Sequence, residues 1–201
     1  MPEVKSRRGE YTEATRRALL DAAAQLFTER GFARTSLDDV AAVARVTKGA
    51  IYHHFGSKPG MLEALFDELE LSENGAARAA FVAEEDPAVG VLAALDQFLL
   101  ACSEPVYGTI IFREAPVALG WDAWRRCEEK YSFALLRDML DALAAAGRIP
   151  PHPGEALPSI AFGMLGAAGQ LLARTPAPDR ERVREQCRMP FVALLGGLAA
   201  L

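Results

Sequence analysis

Apolar residues recur at helical spacing along most of the chain. Leu19, Ala22, Ala23, Leu26 and Phe27 stand at i, i+3, i+4, i+7 and i+8, one stripe of an amphipathic helix over 12–30. Gly31 follows as a helix stop. Leu37, Val40, Ala41 and Ala44 mark a second, short helix that opens at Ser36, with Asp39 three residues on as an S-x-x-D capping box. Arg45-Val46 reads as a tight turn, Thr47 as a second N-cap, and 48–54 as a third short helix. Gly56-Ser57 breaks the chain. Lys58-Pro59 then starts a fourth helix, carried by Met61, Leu62, Leu65, Phe66 and Leu69 as far as Asn74-Gly75. Beyond it the pattern predicts helices over 87–104, 121–146, 156–174 and 179–200, with a short piece over 105–112. A bend around Pro116 and Gly120, a proline-rich loop over 149–158 and the sequence TPAP separate them. The expected fold class is all-α, about nine helices, with an N-terminal three-helix unit and a larger C-terminal helical domain.

Composition agrees with that pattern. The 201 residues are 51% hydrophobic with mean hydropathy +0.07, enough for a buried core in one or two domains. Net charge is −5, which taken whole argues against nucleic acid. Its distribution reverses that: residues 1–60 hold 10 Lys+Arg against 7 Asp+Glu, a net +3, while 61–201 hold 12 against 20, a net −8. A basic segment on an acidic body suggests a local anion-binding surface. Cys102, Cys127 and Cys187 are odd in number, far apart and without zinc-ligand spacing, so they read as reduced thiols of a cytoplasmic protein. The N-terminal residues lack the apolar run of a signal peptide. The apolar stretch over 156–173 approaches a membrane span in length. Pro158, Ser159, Gln170 and three glycines make a helix buried in a protein interface the better reading, and no membrane partner is expected.

The stretch TSLDDVAAVARVTKGAIYHHFGSKPGML, residues 35–62, carries the chemistry. Two short helices joined by a tight turn can lay the second in the major groove of DNA. Gly49 and Ala50 keep the start of that helix slim, and its positive dipole end favours phosphate. Arg34, Thr35, Ser36, Arg45, Thr47, Lys48, Tyr52, His53, His54 and Lys58 supply hydroxyl, imidazole and cationic donors suited to phosphate oxygens. Lys48, Gly49, Ala50 and His53 are placed to meet base edges. Other roles stay open at this point: Phe55 and Tyr52 as core aromatics, Ser36 as a cap only, His54 as a helix-end hydrogen-bonding residue. Two histidines make no metal site without further ligands.

From Arg16 to Phe66 the chain resembles the TetR/AcrR family of bacterial transcriptional regulators, in the spacing of LF-x-x-x-G, T-S and Y-H-H-F-x-S-K. The resemblance implies DNA contacts at Thr35 or Ser36, Lys48, Tyr52, His53 and Lys58. It implies a division into a basic arm (1–11, flexible), a DNA-binding domain (12–57, its helix-turn-helix over about 35–54), a connecting helix (58–75) and an effector-binding and dimerisation domain (76–201). Arg45 departs from the family, which usually has glycine at that turn, and predicts a strained backbone or an added phosphate contact.

In the C-terminal half, Phe98, Cys102, Phe112, Trp121, Trp124, Tyr131, Leu135, Met139, Phe162 and Met164 are candidates to line a pocket for an apolar or aromatic effector. Gly163, Gly166, Ala167, Leu171, Phe191, Leu194 and Leu195 are candidates for a dimer interface in which small residues let helices approach closely. No nucleophile elbow, phosphate loop, dinucleotide fingerprint or zinc-protease motif is present, so no enzyme, cofactor or metal is expected. The expected function is that of a ligand-responsive regulator, a repressor in the family's usual mode, which binds a double-stranded palindromic operator as a homodimer and is released by a small effector. A helical enzyme and a module that binds an acidic protein are the alternatives.

Overall fold

The computed structural model describes residues 7–199. Helix α1 (Arg7–Arg30) buries the predicted stripe, with Leu19, Leu20, Ala23, Leu26 and Phe27 all but inaccessible. It starts five residues before the expected point. Residues 7–11, read as part of a flexible arm, are helical because only Gly9 among them disfavours the helix; Lys5 and the rest of the arm lie outside the described residues. Helix α2 (Leu37–Ala44) is fixed at its start by a reciprocal cap: the Asp39 N–H donates to Ser36 Oγ at 3.1 Å, and the Ser36 N–H to Asp39 Oδ2 at 2.9 Å. Helix α3 (Lys48–Phe55) follows at once.

Helix α4 (Lys58–Val82) runs past the expected end at 75. Asn74 does not stop it, because its amide donates back to the Glu70 carbonyl at 2.9 Å, and the alanines after Gly75 favour the helix. Helix α5 (Pro87–Ser103) packs along α4. Next come α6 (Pro105–Thr109), a π-helical segment (Ile110–Glu114) and α7 (Ala115–Leu119), one continuous rod bent by 76° from α5. The expected bend at Pro116 is thus helical. The ring leaves Phe112 without its usual amide partner, and the chain absorbs this by winding wider just before it, with the Ala115 N–H bonding to Ile110 five residues back. The true break is Gly120, at φ +83°.

The predicted helix over 121–146 is α8 (Trp121–Glu128), a second π segment (Glu129–Phe133) and α9 (Ala134–Ala145). Helix α10 (Ala156–Arg174) is long and apolar enough to cross a membrane, yet 39% of it is buried inside the chain. A 3₁₀ turn (Ala177–Asp179) leads to α11 (Arg180–Leu198). With α6–α7 and α8–α9 each taken as one rod, the described residues form nine helical rods and no strand. One hydrophobic core runs unbroken from Leu19, Ile51 and Phe66 to Leu99, Phe112, Trp124 and Leu172. The N-terminal three-helix unit is therefore seated on the C-terminal bundle, with α1 and α4 resting against α6 and α7.

Candidate nucleic-acid interface and internal cavity

Ile51, completely buried, pins α3 to the core, and Ala50 packs beside it. The opposite face of α3 is open: Tyr52 is 52% exposed, and Lys48, Gly49 and His53 are exposed. Thr47 sits at the N-cap in extended conformation but makes no side-chain cap bond, so its hydroxyl and the first amides of α3 point outward uncommitted. A Cβ on Gly49 would meet only Thr47 Oγ1, at 3.7 Å. Nothing inside the protein requires glycine there. These features make the amino end of α3 slim, positively poled and ringed by donors.

Around it the donors divide. Lys48 Nζ lies 2.9 Å from Asp38 Oδ2, which raises the lysine's pKa and keeps it charged, in a surface pair weak enough to exchange for phosphate. Lys58 Nζ stands 4.2 Å above the Phe32 ring, and partial burial lowers its pKa. His54 is half-buried; burial first, then His53 and Arg16, lowers its pKa, so it is neutral at pH 7. Phe55 is half-buried against the core, one of the alternatives left open above.

Two expected donors are committed elsewhere. Thr35 is only 1% exposed, and its hydroxyl donates to the Gly31 carbonyl at 3.0 Å, stitching the α1–α2 corner. Ser36 Oγ is engaged with Asp39 at 2.6 Å. Arg34 donates to the Arg30 carbonyl at 2.6 Å yet remains exposed. Gly60, which sequence reasoning passed over, is required by packing: a Cβ there would sit 2.3 Å from the Phe55 carbonyl.

Arg45 holds φ +55°, ψ +41°, left-handed, and among the described residues it is the one non-glycine with positive φ. This is the strain its identity predicts, about 1–2 kcal/mol. Arg45→Gly should stabilise the chain by about 0.5–1 kcal/mol after the extra chain entropy of glycine is counted, seen as a rise of a few degrees in Tm. If the guanidinium meets phosphate, the same variant lowers the salt slope of DNA binding by about one. An unchanged Tm would show that the turn carries no strain.

Glu114 joins the two halves. Its Oε2 accepts the Phe32 N–H at 2.6 Å, and a Cβ on Gly31 would lie 3.4 Å from the same atom. The loop into α2 is thereby tied to the π segment of the rod that borders the second site.

That site is a cavity among α4, α5, α8–α9, α10 and α11, walled almost wholly by apolar side chains; the centre of a water-sized sphere can move through about 120 Å³ of it. Phe98, Leu135, Met139 and Phe162 line it as expected. Cys102, Phe112 and Trp124 do not, being sealed in the core. The Phe112 ring presses on Gly169, where a Cβ would come within 2.4 Å, and Trp124 Nε1 donates to the Ile111 carbonyl at 2.7 Å. Trp121, Tyr131 and Met164 lie off the wall: Trp121 stacks on Trp124 from outside, Lys130 covers Tyr131, and Met164 packs on the core. Four residues expected at a dimer face, Gly166, Phe191, Leu194 and Leu195, line the cavity instead, since they sit on the inward sides of α10 and α11. Gly163, Ala167 and Leu171 remain exposed on the outer side of α10.

Sequence reasoning missed the polar end of this cavity. Asn74, Tyr107, Ser132 and Glu128 line it, and behind them Glu70, only 1% exposed and off the wall itself, accepts hydrogen bonds from Tyr107 Oη at 2.6 Å, Ser132 Oγ at 3.0 Å and Asn74 Nδ2 at 3.2 Å. Burial raises its pKa and the three donors hold it partly back. Glu128, 7% exposed, has no such donors; burial, with Glu70 nearby, pushes its pKa up to about 9.

Comparison with known proteins agrees with this geometry. Residues 19–65 match the model for bacterial regulatory proteins of the tetR family, and 88–198 match a tetracyclin repressor-like C-terminal domain. The transcriptional regulator TtgR of Pseudomonas putida is 40% identical over 83 residues, 41% of this chain and 40% of that relative's length. A TetR-family regulator from Pectobacterium atrosepticum, of known structure, is 30% identical with a TM-score of 0.78, covering 96% of this chain and 97% of that one. The transcriptional regulator FadR from Bacillus subtilis, solved in complex with stearoyl-CoA, shares the fold at 17% identity and TM-score 0.69, covering 85% of this chain and 96% of that one. The chain belongs to the TetR family of bacterial transcriptional regulators, and is a regulator rather than an enzyme.

Proposed function

We propose that the protein is a cytoplasmic, ligand-responsive repressor that binds a palindromic operator as a homodimer, each copy placing the amino end of α3 in one major groove. The observation that carries this is the outward end of α3, with Gly49 unneeded by packing between an uncommitted Thr47 hydroxyl and the exposed Lys48, Tyr52 and His53. Lys48, Gly49 and His53 meet bases, while Ala50, expected beside them, is turned toward the core; Thr47, Tyr52, His54, Lys58 and Arg45 hold phosphates, with Arg34 at the edge.

The dimer forms through the outer faces of α10 and α11. Ile160 (59% exposed), Gly163, Ala167 and Leu171 (52% exposed) make one stripe at i, i+3, i+7 and i+11, and Met189 (57% exposed), Ala193 and Gly196 make another. Exposed Leu, Ile and Met interleaved with Gly and Ala suit close helix packing across a two-fold axis. An effector in the cavity acts through two connections. Helix α4 runs from Lys58 at the DNA face to Glu73 and Ala77 on the cavity wall, and Glu114 ties the rod α6–α7 to the corner before α2. The effector shifts the two recognition helices only as far as it binds one arrangement better than the other.

The test is binding of the full chain to an operator selected from random DNA, followed by fluorescence anisotropy. The pair Tyr52→Ala with Lys58→Ala should weaken binding by about 100-fold on every sequence, matching the loss of two phosphate contacts at 1–2 kcal/mol each. Retained tight binding would contradict the contact assignment.

A further inference from the structure

The geometry points to a lipophilic cation as the cavity's ligand: an apolar or aromatic body against Phe98, Met139 and Phe162, with an ammonium or similar positive head against the Glu128 carboxyl. This rests on the reading that the cavity is the effector site. Among its lining residues Glu73 and Glu128 are charged, and there is no Lys, Arg or His. Glu73 is already held by Gln97 Nε2 at 3.3 Å. Glu128 faces the cavity, is more than nine-tenths buried, and makes no hydrogen bond or ion pair with any described residue.

Its neighbours are committed elsewhere. Arg125, one turn back, acts on Glu128 through its charge alone, which lowers the carboxyl's pKa less than burial raises it; its hydrogen bond goes to Glu129 at 3.1 Å and it lies 5.5 Å from the centre of the Phe162 ring. Lys130 goes to Asp67 at 3.5 Å. Ser132, in the π segment that begins just after Glu128, donates to Glu70 instead. A buried carboxyl without donors is held neutral by its surroundings, and a bound cation turns it into an ion pair in a medium of low dielectric. Phe98 adds a ring that attracts a positive head. An anionic ligand meets the opposite situation, with the buried Glu128 and the partly buried Glu73 on the wall and no base among the lining residues to receive it. In this the wall differs from what a carboxylate or acyl-phosphate ligand needs.

Isothermal titration of the full-length protein with n-octyltrimethylammonium, 1-octanol and octanoate, equal in chain length and different in head charge, tests this. The cation should bind at least tenfold more tightly than the alcohol, and octanoate most weakly. Glu128→Gln should weaken the cation at least tenfold while leaving 1-octanol within threefold, which also shows the cavity intact. Octanoate binding as tightly as the cation, or an unchanged cation preference in Glu128→Gln, overturns the inference. Equal binding of cation and alcohol refutes the charge preference and leaves the cavity as effector site. If none of the three binds, both readings fall. Charge-selective binding with no release of operator DNA upholds the site and refutes the proposed response.

Discussion

Ala167→Glu combined with Leu171→Asp should convert the protein to a monomer and weaken operator binding by 100-fold or more. Both side chains are exposed on the outer stripe of α10, so the single chain should keep its helical content. Across a two-fold axis, however, each new carboxylate would meet its own copy or an apolar surface, and a buried unpaired charge costs several kcal/mol. The effect on DNA follows from tethering. With one half-site bound, the second recognition helix sits at an effective concentration of about a millimolar, and the monomer loses that gain of 10²–10⁴ in avidity. Sedimentation and anisotropy check both parts. A variant that stays dimeric, or a monomer that binds the full operator as well as wild type does, would show that the outer face of α10 is not the interface.

The second large effect is on stability as pH changes. Burial and the neighbouring Glu70 raise the Glu128 carboxyl from about 4.5 to about 9 in the folded chain. The folded state therefore binds the proton that the unfolded state gives up, so this group's contribution is complete below about pH 4.5 and is lost as pH rises toward about 9. The loss is up to about 1.4 kcal/mol per pH unit, or about 3 kcal/mol between pH 6 and pH 8. Glu128→Gln keeps the shape and removes the titration. Wild type should lose stability steeply over that interval, while the variant stays nearly level and is the more stable of the two at pH 8. Denaturant unfolding at fixed protein concentration measures it. Parallel profiles would mean that Glu128 is ionised within the fold.

What could be read from sequence alone follows from where the physics is local. The α1 stripe, the Ser36–Asp39 cap, the strained Arg45 and the slim start of α3 each depend on residues within a turn or two, so spacing revealed them. Thr35 misled because a hydroxyl beside a DNA-binding corner looks the same whether it faces out or bonds back to Gly31. The end of α4 was misplaced because Asn74-Gly75 is a stop signal only when no better bond holds Asn74, and Glu70 and Ser132 supply one. Four residues read as a dimer face line the cavity, because α10 and the second half of α11 are apolar on both sides and helical period alone does not say which side faces the bundle. Glu128 was invisible because it sits in CEEKYSF, which reads as a solvated face; its burial, beside Glu70 of α4, comes from packing far away in sequence.

Hydroxyl-radical footprinting of the dimer on its selected operator, beside Gly49→Leu, tests the central claim most directly. Wild type should protect two backbone segments whose centres lie one helical turn apart or a multiple of it, ~34–36 Å per turn, on one side of the duplex. Gly49→Leu, which meets no internal obstacle, should keep the fold and the dimer and lose both protections together. A single protected segment, or a footprint that Gly49→Leu leaves intact, would contradict the placement of α3 in the groove.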